Sequence, residues 1–313
     1  MNPVFASPLQ GYTDAAWREA HHAVYGDGVN AYFAPFARVE RGEVRRRDLR
    51  DTDPEALEAP TVPQAIFRDA EELRTIVEAF YEQGHRRVDL NMGCPFPPQV
   101  KHGRGAGMLV RPDELARVGE YVASRPDIRF SVKMRLGIDD CTQWRGVVPI
   151  IASMPLEMVT VHPRTAAQQY RGEVHTEQFE AIASEMPHAV VFNGEVHTPE
   201  DIDRALSLPG AAGVMIGRGL LGRPSLVAEW RAGREWRAAE RMSAIKRLHS
   251  LVYARREARI SGGDAQLVSV MRPFWEYLEN EIGRKPAKAI AKSRTLASYN
   301  SAVAAILGDG ILG

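Results

Sequence analysis

Cysteine is scarce in this chain: of 313 residues, only Cys94 and Cys141 carry a thiol. That excludes a disulfide framework, makes the reducing cytoplasm the expected setting, and leaves at least one thiol free for chemistry. Long apolar runs are missing too. No stretch approaches the ~20 residues a bilayer span needs, which argues against a membrane protein. The opening Met1-Asn2-Pro3-Val4-Phe5 lacks the basic and then apolar stretch of a secretory leader, so none is expected. Internal repeats and low-complexity tracts are absent, which excludes solenoids and linker-like segments. Net charge is zero, with 40 Lys and Arg against 40 Asp and Glu.

What is present is ordinary globular material, 44% hydrophobic and 26% charged. The length suits one large domain, such as an α/β barrel, with or without a small appendage. The zero net charge hides an asymmetry. Residues 231–300 hold 15 Lys and Arg against 7 Asp and Glu, a net of +8, so the remainder sums to −8. Such a segment is either a solvated helical face or the footprint of an anionic partner.

Short apolar runs recur at Val4–Ala6, Ala31–Phe36, Val62–Ile66, Val88–Asn91, Phe130–Arg135, Met158–His162, Ala189–Asn193 and Gly213–Ile216. Helical patterns follow most of them, at Thr13–Val24, Ala70–Gln83, Pro112–Ala123, Thr176–Glu185 and Pro199–Leu206. Thr198 before Pro199 is a clear helix start, with a capping hydroxyl and a proline in the first turn. Eight strand–helix units in about 225 residues predict a closed (β/α)8 barrel. The charged residues 37–60 lack a convincing helix and predict an irregular excursion. Beyond residue 230 strand signals stop, and Trp236–Arg259, Ala265–Asn280 and Pro286–Tyr299 read as amphipathic helices. The expected division is therefore a catalytic barrel over 1–230 and an all-helical domain over 231–313.

In such a barrel the chemistry sits at the C-terminal ends of the strands. Polar residues punctuate nearly every one: Ser7-Pro8-Leu9-Gln10, Gln64, Asn91-Met92-Gly93-Cys94, Lys133-Met134-Arg135, His162, Asn193-Gly194-Glu195 and Gly217-Arg218-Gly219. Alternation along the fifth strand turns Ser131, Lys133 and Arg135 to one face. Two cations there either flank a structural carboxylate or face an anionic ligand, and the cost of unpaired buried charge favours the ligand. Gly217-Arg218-Gly219 is a phosphate-binding candidate. Gly103-Arg104-Gly105-Ala106-Gly107 does not follow a strand at dinucleotide-binding spacing and reads as a flexible loop. A free cysteine is more often a buried small hydrophobe. Cys94, however, lies between strand-breaking Gly93 and Pro95 at a strand end, which favours a chemical role. Cys141 has no such setting and is taken as incidental. His21, His22 and His102 lack metal-ligand spacing, and no metal site is expected.

The five segments Asp89-Leu90-Asn91-Met92-Gly93-Cys94-Pro95, Val132-Lys133-Met134-Arg135-Leu136-Gly137, Val161-His162-Pro163-Arg164-Thr165, Asn193-Gly194-Glu195 and Met215-Ile216-Gly217-Arg218-Gly219 together resemble the tRNA-dihydrouridine synthases, in order and spacing from residue 4 to about 225. The resemblance implies an FMN-containing (β/α)8 barrel followed by a helical tRNA-binding domain, reduced by NADPH. It implies that Pro8, Leu9 and Gln10 line the flavin and that Gln64 bonds its pyrimidine edge. Lys133 would sit by N1 and O2. His162, Asn193, Gly194, Glu195, Gly217 and Arg218 would hold the ribityl-phosphate side. Asn91 and Arg135 would hold the target uracil, and Cys94 would donate a proton. The chain departs from the family's pattern in Pro8-Leu9, where Pro-Met is usual, and in Phe96-Pro97-Pro98-Gln99-Val100-Lys101, where the lysine comes late.

In the basic segment Lys285, Lys288 and Lys292 share a helix face, as do Arg255 and Arg259 with Arg256 beside them. They are expected to contact tRNA phosphates. The protein is expected to be a monomer with no protein partner. Two other readings stand beside this one. An FMN barrel acting on a free pyrimidine or other small molecule would not need a basic helical appendage. A non-catalytic RNA-binding barrel is disfavoured by the presence of Cys94, Lys133 and His162.

Overall fold

The computed structural model describes residues 2–308. Its main sheet is built from β1 (Val4–Ala6), β2 (Ala31–Phe33), β3 (Thr61–Val62 and Gln64–Ala65), β4 (Arg87–Met92), β5 (Arg129–Arg135), β6 (Leu156–His162), β7 (Ala189–Phe192) and β8 (Ala211–Ile216). Every neighbouring pair is parallel, and β1 lies between β2 and β8. The two pieces of β3 form the two ends of the sheet: Thr61–Val62 pairs with β2 and Gln64–Ala65 with β4. They are separated only by Pro63, which has no N–H for the ladder. Its carbonyl still accepts from Asp89 N at 2.9 Å, so the barrel closes through the proline.

The strand interiors explain where a site can form. Phe5, Phe33, Val62, Met158, Val191 and Met215 belong to one buried apolar cluster inside the barrel, with the Phe5 and Phe33 rings edge to face at 5.9 Å. Two residues further on, the same pleated face presents Ser7, Pro35, Gln64, Asn193 and Gly217. An apolar floor thus carries a polar layer at the C-terminal end. On β4 and β5 the polar face reaches deeper, to the buried Asp89 and Ser131.

Around the barrel, the helix Pro199–Leu206 starts as expected, with a capping box between Thr198 and Asp201. The excursion over 37–60 contains a small hairpin, Val39–Glu40 with Glu43–Val44, and a short helix, Arg46–Asp51. Buried Arg18 donates to the Thr13 carbonyl at 2.7 Å and to Asp51 Oδ2 at 3.0 Å, tying that excursion to the first helix, Ala15–Tyr25. The glycine-rich stretch is not a flexible loop. Gly105–Val110 forms a tight 3-10 turn with Gly105 through Leu109 buried.

Beyond Leu226–Ala232 the described chain contains helices and no strand. Ala238–Glu257 forms as expected and packs along Ala15–Tyr25. Two expected helices are broken. Ala265–Asn280 is Gly263–Met271, a 3-10 turn Arg272–Trp275 around Pro273, and Glu279–Ile282. Pro286–Tyr299 is Arg284–Lys292 and Leu296–Leu307, because Thr295 caps a fresh helix through Ser298 N at 3.2 Å. Proline and capping threonine override a periodicity that continues through both breaks. Arg256 Nη2 donates to Asp14 Oδ1 at 3.0 Å and Tyr12 Oη to Glu276 Oε2 at 2.7 Å, so the helical region is fastened to the barrel near its mouth. Residues 309–313 of the expected helical domain lie outside the described residues.

Candidate active site

A cleft opens where the strands end. Pro8, Leu9, Gln10, Gln64, Asn91, Cys94, Lys133, Arg135, His162, Asn193, Gly194, Gly217 and Arg218 all line it, from seven of the eight strand ends. One expected residue is set apart. Glu195 is not in the lining; its carboxylate binds the guanidinium groups of Arg164 and Arg218 and accepts from His197 Nε2 at 2.8 Å. The hydrogen bond from His197, with help from Arg164 and Arg218, holds this carboxyl down at about 2.

Cys94 sits on a turn that Asn91 shapes. Asn91 Oδ1 accepts from Gly93 N at 3.2 Å and Cys94 N at 2.9 Å. The Cys94 carbonyl accepts from Ala106 N at 3.1 Å. A Cβ on Gly105, whose φ is +57°, would stand 2.8 Å from the Cys94 Cβ. Only glycine fits so close an approach, which is the local reason for the glycine-rich stretch. Burial pushes the half-buried Cys94 thiol up, against the pull of the Phe96 backbone, Arg135 and Lys133. The group is therefore a protonated thiol at neutral pH, suited to giving a proton.

Two cations share this floor. Lys133 Nζ donates to Asn193 Oδ1 at 2.7 Å, and Asn193 Nδ2 donates to the Met215 carbonyl at 2.7 Å, which fixes the amide. Arg135 donates to the Gly93 carbonyl at 3.0 Å and the Thr165 carbonyl at 2.9 Å. Among the described residues neither cation is ion-paired, so the structural-carboxylate reading of this pair fails. Burial lowers Lys133 to about 8 and Arg135 to about 10. His162 falls well below its ordinary value through burial and the neighbouring cations, leaving a neutral imidazole.

At the far end Gly217 begins a short helix, Arg218–Gly222. A Cβ on Gly219 would stand 1.9 Å from the Val196 carbonyl, so that backbone crossing requires glycine. Tyr170, missed in the sequence, covers this end: its ring lies 4.4 Å from the Arg218 guanidinium and 5.5 Å from that of Arg135. Ser7, Pro35, Phe36 and His197 also line the cleft without having been assigned a role. The two-residue step from Phe5 and Phe33 would have found Ser7 and Pro35; no sequence signal marks Tyr170. Arg164 was likewise passed over: it donates to the Gly172 carbonyl at 2.9 Å and braces the Tyr170 loop.

Lys285, Lys288 and Lys292 are exposed on Arg284–Lys292, away from the cleft. Arg259 is exposed and Arg255 half-buried at the end of the long helix. Arg256 does not belong with them, since it is buried against Asp14 and the Val270 carbonyl. The described residues contain no cluster of metal-ligating side chains, and no described helix is long and apolar enough to cross a membrane.

Among solved structures, morphinone reductase shares the fold with a TM-score of 0.52 at 10% identity, over 75% of this chain and 86% of that one. A 2-naphthoyl-CoA reductase matches with a TM-score of 0.54 at 9% identity, over 74% of this chain and 50% of its own. These likenesses concern the barrel alone. In sequence, a probable tRNA-dihydrouridine synthase of Rhodobacter capsulatus is 30% identical over 232 residues, 72% of this chain and 70% of that protein. A tRNA-dihydrouridine(16) synthase of Ralstonia nicotianae is 31% identical over 241 residues, 74% of this chain and 73% of that protein. The family model for dihydrouridine synthase spans residues 4–299, which takes in the whole cleft and most of the helical region. With that match over nearly the whole chain, this chain belongs to the dihydrouridine synthases, a family of flavin-dependent oxidoreductases.

Proposed function

We propose that the protein reduces the C5–C6 double bond of a uridine in tRNA to 5,6-dihydrouridine, with FMN in the cleft and NADPH as reductant. The observation that carries this reading is the pairing of a protonated thiol with two cations that have no ion-pair partner among the described residues, all in one cleft. The donor set fits a flavin mononucleotide. Lys133 suits the electron-rich N1 and O2 edge, as a fixed charge where negative charge develops. Gln64 offers an amide to the pyrimidine edge, and Pro8, Leu9 and Gln10 form a wall for the ring. His162, Asn193, Gly194, Gly217 and Arg218 would hold the ribityl-phosphate, with Glu195 acting through Arg218.

When bound, the flavin supplies the hydride that reaches C6 of the uracil. Cys94 Sγ then gives its proton to C5, and the raised thiol value keeps that proton in place until it is needed. Asn91 keeps one amide N–H for the uracil, and Arg135 steadies the Gly93 carbonyl beside it. A stacked base must first be turned out to reach the cleft, at a cost of a few kcal/mol. The helical domain, residues 231–313, would offset that cost through backbone contacts from Lys285, Lys288, Lys292, Arg255 and Arg259, while residues 1–230 form the catalytic barrel.

Cys94→Ala tests the reading. It should keep FMN and its reduction by NADPH, yet lose most uridine reduction, on the order of 10²-fold or more. Cys141→Ala should be nearly silent. Normal uridine reduction by Cys94→Ala would require another acid.

A further inference from the structure

From the cleft floor a row of polar side chains runs downward through Gln64 and Asn91 to Asp89 and Ser131, and the chemistry above assigns the last two no task. Ser131 Oγ donates to Asp89 Oδ1 at 2.6 Å. Gln64 Nε2 donates to Asp89 Oδ2 at 2.7 Å, and Asn91 Nδ2 donates to Gln64 Oε1 at 2.7 Å. Asn91 Oδ1 accepts from the backbone of Gly93 and Cys94. All four side chains are buried, and Asp89 and Gln64 have no exposed surface. Parallel pairing sets the row, because Gln64 is in register with Asp89 and Asp89 with Ser131.

The direction of the chain is forced. The N–H groups of Gly93 and Cys94 can only donate, so Asn91 must turn Oδ1 to them and Nδ2 to Gln64. Gln64 must then offer Oε1 to Asn91 and Nε2 to its other neighbour. That neighbour has to accept from Gln64, while the Ser131 hydroxyl, which rotates, can give or take the bond at its other oxygen. A carboxyl group meets that need through the oxygen that faces Gln64. Burial raises Asp89 to about 7, while the Gln64 and Ser131 hydrogen bonds oppose that rise. A buried acid bordered by donors on both sides is an expensive choice for packing alone.

We infer that Asp89 is a positioning residue: as the accepting end of this buried chain it fixes the amides of Gln64 and Asn91, and through Asn91 the backbone turn that carries Cys94. Asp89 has no exposed surface and is not among the residues that line the cleft. It acts by denying Gln64 the flipped orientation, in which Asn91 would lose its partner and the Cys94 turn its anchor.

Two readouts test this in a Cys141→Ala background, which leaves Cys94 as the one thiol. The first is the rate of Cys94 alkylation by iodoacetamide in flavin-free protein. The second is kcat and KM for uridine reduction by the flavin-loaded enzyme, which rests on the proposed function. Asp89→Leu should loosen the turn, speeding alkylation about tenfold and lowering kcat about tenfold, the scale of one lost buried hydrogen bond. KM for tRNA should stay within about twofold. Asp89→Asn can still accept from Gln64 while donating to Ser131, whose hydroxyl rotates, so it should remain within about threefold of the parent in both assays. Gln64→Leu cuts the chain in the middle and should speed alkylation as much as Asp89→Leu, and the double variant no further. Parental alkylation in Asp89→Leu overturns the inference, as does an equal effect of Asp89→Asn. If Asp89→Leu does not fold, Gln64→Leu decides: parental alkylation there overturns it as well. If the parent reduces no tRNA uridine, the functional proposal fails and the alkylation series alone judges Asp89.

Discussion

Lys133 gives the sharpest expectation, because its charge is useful only when a ligand is present. In the protein alone it has one hydrogen bond, to Asn193 Oδ1 at 2.7 Å, and no ion pair among the described residues. Burial brings its proton affinity down from 10.5 to about 8. At about 1.4 kcal/mol per pH unit, holding the ammonium in that place costs about 3 kcal/mol at neutral pH. The sign follows from proton counting. Between pH 8 and 10.5 the unfolded lysine keeps a proton that the folded one has released, so stability rises with pH across that window. Lys133→Met keeps the stem and removes the charge, while leaving Asn193 Oδ1 without its donor at a cost of about 1–2 kcal/mol. The balance is a gain of about 1–2 kcal/mol, or a rise of about 2–5 °C in Tm. Thermal unfolding of flavin-free protein at neutral pH measures it, and the gap should shrink above pH 8 and change sign before 10.5, where only the variant's lost hydrogen bond remains. With FMN bound the order should reverse, since only the parent gains the lysine's attraction. A variant no more stable than the parent without flavin, or a gap indifferent to pH, would refute the reasoning.

Two further expectations concern the helical region. Replacing Lys285, Lys288 and Lys292 with Ala should weaken tRNA binding and flatten its dependence on salt, because each phosphate contact releases a counterion. The FMN spectrum and NADPH oxidation should not change, and unchanged affinity and slope across a salt series would leave that face as solvated surface. His249 is buried with Nε2 2.9 Å from Tyr299 Oη, and burial lowers it from 6.5 to about 3. The unfolded histidine binds its proton first as pH falls through 6.5, so folded stability drops from there down to about 3. His249→Gln should flatten that decline by about 1.4 kcal/mol per pH unit in urea unfolding between about pH 4 and 6; an unaltered slope would place the acid sensitivity elsewhere.

The cleft was legible because its residues belong to strand ends, where a period of two and a change from apolar to polar mark both the face and the level. Hydrogen-bond direction was not. Asp89 stands in the same segment as Cys94, yet a buried acid with two donors and a solvated acid read alike in a sequence. Glu195 was legible as a polar strand end, but the guanidinium groups of Arg164 and Arg218 and a hydrogen bond from His197 turn it away from the cleft. The helix breaks at Pro273 and Thr295 were hidden by a periodicity that runs through them. Pro63 divided a strand that composition alone would leave whole. Tyr170 lies in a loop whose course depends on Arg135 and Arg164, residues far from it in pattern though near in space.

The apolar cluster under the polar layer makes the barrel a cup rather than a tube. Phe5, Phe33, Met158 and Met215 are buried under that layer and fill the barrel beneath the cleft. On the proposed function, two large reactants must visit one buried ring: the nicotinamide that delivers electrons and the uridine that receives them. On that reading both approach from the C-terminal ends of the strands, where the residues that line the cleft lie. Seven buried apolar side chains that take no part in the chemistry thus set the level at which any guest of the cleft must stop.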